Sequence, residues 1–174
     1  MTVYTPGEDS RLLKDFISGL DLQGKKALDM GTGSGVIAVK IAEKGASVTA
    51  ADINPEALEE AEQRANQAEV KIKTVESDLF ENIEAKYDIV TFNPPYLPGE
   101  EGIGDEEIWR GGETGVEIVR SFLAQVEDYL SEGGEVYLIL SSRSDYEEVV
   151  EEFDLEVVDS EKLWFEELFV AKYE

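Results

Sequence analysis

The chain contains no cysteine and no histidine. Without cysteine there can be no disulfide and no thiolate metal site, and without histidine the commonest nitrogen ligand and neutral-pH base is missing. Any chemistry must rest on carboxylates, amides, backbone groups or a bound cofactor, and no metal site is expected. Positive charge is also scarce: 15 Lys and Arg stand against 40 Asp and Glu, a net charge of −25. Such a surface repels phosphate backbones and offers no basic footprint, so direct nucleic-acid binding is not expected. It favours a cationic partner through long-range steering, or serves solubility or high-salt adaptation. No apolar run approaches the roughly 20 residues of a membrane span. The first ten residues lack the basic start and apolar stretch of a signal peptide. The expectation is a soluble, cytoplasmic protein.

At 174 residues, one domain with one core is expected. Strand-like and helix-like segments alternate. Leu12, Leu13, Phe16, Ile17 and Leu20 recur at helical spacing within 8–20. Strands are predicted at 26–30, 47–51, 70–75, 87–92, 135–140, 155–158 and 163–172. Helices are predicted at 35–43, 55–67, 114–130 and 145–153, the second opening on Pro55. This order implies an α/β fold: a Rossmann-like seven-stranded, mostly parallel sheet, helices on both faces, and an antiparallel last strand. An N-terminal helical segment is expected over residues 1–24. The strand from Val70 to Val75 alternates apolar residues with lysines, as a half-exposed edge strand would. Residues 97–113 break the pattern. They carry five glycines among acidic residues, with Trp109 and Arg110, and read as a mobile lid or a plain surface loop.

The most informative residues are Asn93, Pro94, Pro95 and Tyr96, where a buried strand empties into a loop. Consecutive prolines fix φ near −65° and donate no N–H, leaving a stiff bend with free carbonyls. The Asn93 amide oxygen and the Pro94 carbonyl could both accept from one planar –NH2 group. Tyr96 could stack on that plane. The alternative is a rigid strand-end turn.

A second motif, Asp29, Gly31, Gly33 and Gly35 at alternate positions, lies between the first strand and its helix. Glycines there permit a tight turn and close approach of a ligand to a helix N-terminus. The Gly33-Ser-Gly35-Val-Ile-Ala38 spacing also fits a dinucleotide site. However, Asp29 at the strand end would repel a pyrophosphate and welcome an ammonium. Asp52, ending the second strand, could accept two ribose hydroxyls. Asp78 could accept from an adenine amino group while the Leu79 N–H serves a ring nitrogen. Each Asp could instead belong to a helix cap or turn. Three of them on successive strand ends, level with the glycine loop, fall where open α/β sheets bind ligands. An adenosyl ligand with an ammonium and no phosphates is S-adenosylmethionine.

With these motifs in place, the chain resembles class I S-adenosylmethionine-dependent methyltransferases of the HemK/PrmC family, in their short archaeal/eukaryotic form. The resemblance rests on residues 4–10, the Asp29–Gly35 motif, Asp52, the Ser77-Asp78-Leu79-Phe80 run and the Asn93–Tyr96 corner, with Trp109, Gly111, Gly112 and Gly115 beside them. It implies N-methylation of a protein glutamine, the Gln of a Gly-Gly-Gln loop in a class-1 translation release factor. It places Ser10, Asp29, Gly31, Asp52, Asp78, Leu79 and Asn93 around the cofactor, and gives Asn93, Pro94 and Tyr96 the substrate amide. It also implies a small zinc-binding activator protein, for which the edge strand from Val70 to Val75 is the expected seat. The bacterial form carries a helical substrate-recognition domain ahead of the sheet. Only one helix precedes Lys26 here, so the resemblance does not say what reads the substrate. An exocyclic amine of a nucleic acid, such as N6 of adenine, would suit the same corner; a protein lysine is a further alternative, and a non-catalytic cofactor-binding scaffold is the alternative of a different class.

Overall fold

The computed structural model describes residues 7–95 and 116–174. Among the described residues the α-helices and strands run α1 (Glu8–Ser18), β1 (Lys26–Met30), α2 (Val36–Glu43), β2 (Ser47–Asp52), α3 (Pro55–Gln67), β3 (Ile72–Glu76), β4 (Tyr87–Phe92), α4 (Glu117–Val126), β5 (Leu130–Ser141), α5 (Tyr146–Glu152), β6 (Glu156–Lys162) and β7 (Glu167–Tyr173). The strands form one seven-stranded sheet in the order β3-β2-β1-β4-β5-β7-β6. Neighbours from β3 through β5 are parallel. Strand β7 runs antiparallel to both β5 and β6, so the expected sheet with its antiparallel last strand is present.

Period-two alternation along the central strands divides the interior between the two faces. In β5, Val136, Leu138 and Leu140 join one apolar cluster with Phe122 and Val126 of α4 and Val149 of α5. Tyr137 and Ile139 join the other, with Leu13 and Ile17 of α1 and Ile37 and Ile41 of α2. Strands buried on both faces read as continuous apolar runs, as in the Ile89-Val90 and Leu138-Ile139-Leu140 stretches. Each fully buried Leu or Ile there contributes roughly 1.5–3 kcal/mol of transfer free energy. No helix among the described residues is long and apolar enough to cross a membrane.

Some boundaries differ from expectation. The third strand begins at Ile72, because the chain from α3 turns through Glu69 (φ 57°) and Val70 closes back on Ala65. The helix predicted to Leu130 ends at Val126, and Leu130 already pairs with Tyr87 of β4. The predicted strand over 163–172 begins only at Glu167. Residues 163–166 instead make the β6–β7 turn, closed by the Leu163 N–H donating to the Glu166 carbonyl. The edge position of the third strand is as expected.

Sheet order reverses between β1 and β4: the chain leaves β1 toward β2 and β3, then returns to lay β4 on the opposite side. Ligands of open α/β sheets bind in the crevice at such a switch point, beyond the strand carboxyl ends. Met30 pairs with Phe92, so the glycine loop and Asn93 leave the sheet side by side.

Candidate functional site

Gly31, Gly33 and Gly35 all have positive φ, but they need glycine for different reasons. A Cβ on Gly35 would lie 2.6 Å from the Ala61 Cβ, so this residue lets α2 and α3 pack closely. A Cβ on Gly33 would meet nothing within 4 Å. Gly33 therefore borders open space, and only its φ of 52° excludes a side chain. The loop is pinned by the Thr32 N–H to the Ala51 carbonyl (2.9 Å) and by the Gly35 N–H to the Thr32 carbonyl (2.9 Å).

Asp29 is buried, and both its oxygens are occupied. Thr32 Oγ1 donates to one at 2.7 Å and Thr91 Oγ1 to the other at 2.7 Å. Burial pushes its pKa from 3.8 up to about 6; the two hydroxyls oppose that shift and the nearby Asp52 adds to it. Asp29 thus ties the glycine loop to β4 through Thr32 and Thr91, the latter a partner that the motif did not flag, and like Asp52 it keeps a second lone pair on each oxygen. Asp52 is buried too. It accepts the Gly33 N–H (2.8 Å) and the Asn54 N–H (2.9 Å), one on each oxygen. Desolvation raises its pKa despite these bonds. Each oxygen keeps a second lone pair. Asn54, rather than Asp52, caps α3, accepting from the Glu56 N–H at 3.0 Å with Pro55 at the first helical position.

Beyond β3, the Ser77 N–H bonds the Asp52 carbonyl at 3.0 Å, which brings the Ser77–Phe80 turn alongside Asp52. Ser77 Oγ donates to the Leu79 carbonyl (2.7 Å) and accepts the Asn82 N–H (3.0 Å), holding Leu79 at φ 46°. A left-handed leucine costs about 1 kcal/mol or more and persists only where neighbours impose it. Asp78 is exposed at the rim. Beneath these loops the rings of Phe92, Phe122, Phe80 and Tyr129 follow one another with centroids 4.5, 5.3 and 4.5 Å apart, the first pair tilted and the other two stacked. Phe92 precedes Asn93 and Phe80 follows Leu79, so one aromatic stack supports both corners.

Helix α1 completes the site. Its first turn buries Asp9 and Ser10. Asn93 Nδ2 donates to Asp9 Oδ2 at 2.9 Å and lies 3.1 Å from Ser10 Oγ. Asn93 Oδ1 is buried and has no hydrogen-bond partner among the described residues. Pro94 is buried and Pro95 half-buried. Tyr96, the 97–113 loop with Trp109, and residues 1–6 lie outside the described residues. The structure thus gathers Ser10, Asp29, Gly31, Gly33, Asp52 and Asn93 at the switch point, with Asp78 and Leu79 reached through Ser77. Gly35 serves helix packing. Asp9 was missed as a site residue, although it sits beside Ser10 in the motif.

Over residues 8–162 the chain matches the methyltransferase small domain family. It is 39% identical, across 97% of its own length and 89% of the relative's, to a Methanocaldococcus jannaschii protein provisionally assigned as an N5-glutamine methyltransferase. It is 35% identical to human methyltransferase HEMK2, across 85% of this chain and 76% of that one. The E. cuniculi Mtq2–Trm112 complex, described as responsible for methylation of the eRF1 translation termination factor, matches with a TM-score of 0.77 and 28% identity. That match covers 100% of this chain and 99% of its counterpart. The glycine loop, the strand-end aspartates and the Asn93 corner lie within the matched span. The chain belongs to the methyltransferase small domain family and is a class I methyltransferase of the HemK/PrmC type.

Proposed function

We propose that this enzyme methylates a protein glutamine on its side-chain nitrogen, using S-adenosylmethionine, and that the substrate is the Gln of a Gly-Gly-Gln loop in a class-1 translation release factor. The observation that carries the reading is Asn93: its Nδ2 is committed to Asp9 and Ser10, while its buried Oδ1 has no partner among the described residues. A buried acceptor left without a donor costs about 1–3 kcal/mol, so such an atom calls for a ligand N–H. The names of the relatives supply the glutamine and the release factor.

The cofactor fits the residues present. Open space borders Gly33, and Asp52 keeps a lone pair on each oxygen for ribose hydroxyls. Gly31, Gly33 and the α2 N-terminus would lie along the amino-acid portion, with Ser10 nearby, and Asp78 and Leu79 along the adenine. The strand-end carboxylates Asp29 and Asp52 would favour a cationic ligand over a phosphate-bearing one. When bound, S-adenosylmethionine supplies an electrophilic methyl group that needs only in-line approach of a nucleophile.

A carboxamide nitrogen is a weak nucleophile because its lone pair is delocalised. Asn93 Oδ1 and the Pro94 carbonyl accept its two N–H groups, aim the nitrogen, and stabilise the positive charge that grows on it. Pro95 keeps the bend rigid. The proton leaves to water after transfer, so no strong base is required. An adenine amino group would meet the same two acceptors, but a chain of net charge −25 suits a basic protein surface better than a phosphate backbone.

The edge strand β3 is the proposed seat of a small zinc-binding activator, through strand addition beginning near Ile72. The Mtq2–Trm112 pairing of the related structure supports a small partner. The deciding experiment follows labelled methyl from S-adenosylmethionine to a release factor with and without its Gly-Gly-Gln Gln changed to Ala, in the presence of the activator. Label that depends on the Gln is expected. Label that persists without it would redirect the search to lysine or another amine.

A further inference from the structure

The β6–β7 turn carries a surface that the chemistry at Asn93 does not use. Trp164 is fully exposed and Phe165 is 73% exposed, and they are the two most exposed large apolar residues among those described. Single exposed apolar side chains are common, but two consecutive exposed aromatic residues on one turn are apolar surface of the kind that marks a contact. The turn that presents them is well braced. Ser141 Oγ donates to the Glu166 carboxylate at 2.7 Å, the Glu167 N–H donates to Ser142 Oγ at 2.8 Å, and the Ser142 N–H donates to the Glu167 carbonyl at 2.9 Å. Leu163 packs against the core, and the Arg143 guanidinium lies 5.9 Å from the Phe165 ring centroid. The rings are held outward by an ordered turn.

Topology places this turn at the working end of the sheet. Strands β5 and β6 both run antiparallel to β7, so β6 ends at the same edge as β1 and β4, where Gly31 and Asn93 emerge. The tip lies between β7 and β6, two to three strands from β4, which at ~4.8 Å per strand is about 12 Å. Helix α1 bridges the gap. Asp9 and Ser10 bond Asn93, and the next residue, Arg11, pairs with Glu161 at the end of β6. Such a span exceeds the reach of one glutamine side chain but matches the body of a protein presenting it. Charge around the tip is acidic on balance: Glu156, Asp159, Glu161, Glu166 and Glu167 stand against Lys162, Arg143 beside the Phe165 ring and Arg11 beside Glu161.

We propose that Trp164 and Phe165 form a docking tip for the protein that delivers the glutamine, gripping an apolar spot flanked by Lys or Arg side chains on that protein. Exposed aromatics concentrate binding energy in interfaces and also stack well with guanidinium groups. The acidic surround selects the basic partner and speeds its encounter. This inference rests on the glutamine reading and extends it to what recognises the substrate.

The test is the double variant Trp164→Ser/Phe165→Ser, assayed for methyl transfer to an intact release factor and to a short peptide carrying its Gly-Gly-Gln sequence. With the protein substrate, KM should rise about 10-fold or more at unchanged kcat, the scale of losing one interface anchor. Peptide kinetics should not change. Unaltered KM for the protein, or equal losses on both substrates, would overturn the proposal. A second readout does not need turnover. Only two tryptophans are present, so Trp109→Phe leaves Trp164 as the sole indole, and its emission should shift to the blue when a release factor with that Gln changed to Ala is added. Such a shift, in a system where the unmodified factor gains no methyl, would sink the glutamine reading and leave docking standing. No shift would overturn docking whether or not methyl is transferred. Concentration-dependent self-association that the double variant abolishes would assign the tip to a second copy of this chain and overturn it as well.

Discussion

Asn93 Nδ2 lies 2.9 Å from Asp9 Oδ2, and that contact fixes which way the Asn93 amide points. A carboxylate can only accept, so the amide nitrogen must face it and the oxygen must face the opposite side. Asp9 in turn is held by the first turn of α1, which packs against α2 and the sheet. The acceptor proposed to aim the substrate is thus oriented by a helix that precedes the sheet in sequence.

Asp9→Asn should therefore lower kcat more than it lowers stability. An asparagine at 9 can present either a donor or an acceptor, so the Asn93 amide loses its fixed orientation. A kcat lower by roughly 10-fold is expected with the cofactor Kd within a few-fold, given that one oriented acceptor is worth about 10²-fold or more. If Asp9 only stabilised the helix, Tm would fall while kcat per folded molecule stayed level.

Removing the acceptor outright should be more severe. Asn93→Ala should cut turnover by about 10²-fold or more, while equilibrium dialysis still detects cofactor binding. Asn93→Asp should fail for another reason: it retains an acceptor but sets a second acceptor-only group against Asp9 in place of the donor, so it should melt at a lower temperature than the parent. Turnover by Asn93→Ala near the parent rate would refute the proposed role.

The glycines of the loop should separate by phenotype. Gly35→Ala meets Ala61 at 2.6 Å in addition to its left-handed strain, so overpacking of about 1–3 kcal/mol adds to about 1 kcal/mol of backbone cost. Gly33→Ala carries only the backbone cost, because nothing lies within 4 Å of its Cβ. The methyl group would instead intrude on the ligand space. Melting curves should show the larger loss for Gly35→Ala, and cofactor titrations the larger affinity loss per degree of Tm for Gly33→Ala.

Sequence patterning exposed the sheet because central strands such as Ile89-Val90 and Leu138-Ile139-Leu140 must be apolar on both faces, and helices must separate parallel strands. It could also place Asp52 and Asn93, since strand ends at a switch point are where side chains meet ligands. What it could not show were partnerships across the chain. Thr91 lies 62 residues from Asp29 in sequence, yet takes one of its oxygens, and no local pattern encodes that pairing. The aromatic tip was misplaced for a related reason. The 163–165 run of Leu, Trp and Phe has strand composition, but the register of β6 against β7, from Lys162 opposite Glu167, puts the reversal there. Composition reports β-propensity, and only pairing reports where a hairpin turns.

Ionic strength should act in opposite directions on stability and on substrate capture. Net charge of −25 makes the folded chain repel itself, so Tm should rise as KCl is increased from low salt toward 1 M, where the screening length falls to about 3 Å. The same screening weakens attraction to a basic substrate, so kcat/KM for the protein substrate should fall over that range. A substrate rate indifferent to salt would show that the acidic surface takes no part in recognition.

Asp29 provides a pH signature that can be isolated by difference. Its pKa is raised from 3.8 to about 6, mainly by burial, so the folded state binds this proton more tightly than the unfolded state. Its contribution to stability is fully present below pH 4 and is lost as pH rises through 6. The loss is about 3 kcal/mol at 1.36 kcal/mol per pH unit, or roughly 10 °C in Tm for a domain of this size. Asp29→Asn has no such titration. Its Tm relative to the parent should climb between pH 4 and pH 7, whatever constant offset the lost carboxylate introduces at Thr32 and Thr91. Taking the difference between the two proteins cancels the many surface carboxylates, which titrate alike in both. Asp52 is shifted in the same direction by its own burial, and it also raises the Asp29 pKa through repulsion. In an Asp52→Asn background the Asp29 transition should therefore move to lower pH. A difference between Asp29→Asn and the parent that stays flat from pH 4 to pH 7 would mean that burial does not raise the Asp29 pKa in the folded protein, and the carboxylate that ties the glycine loop to β4 would be a solvated one.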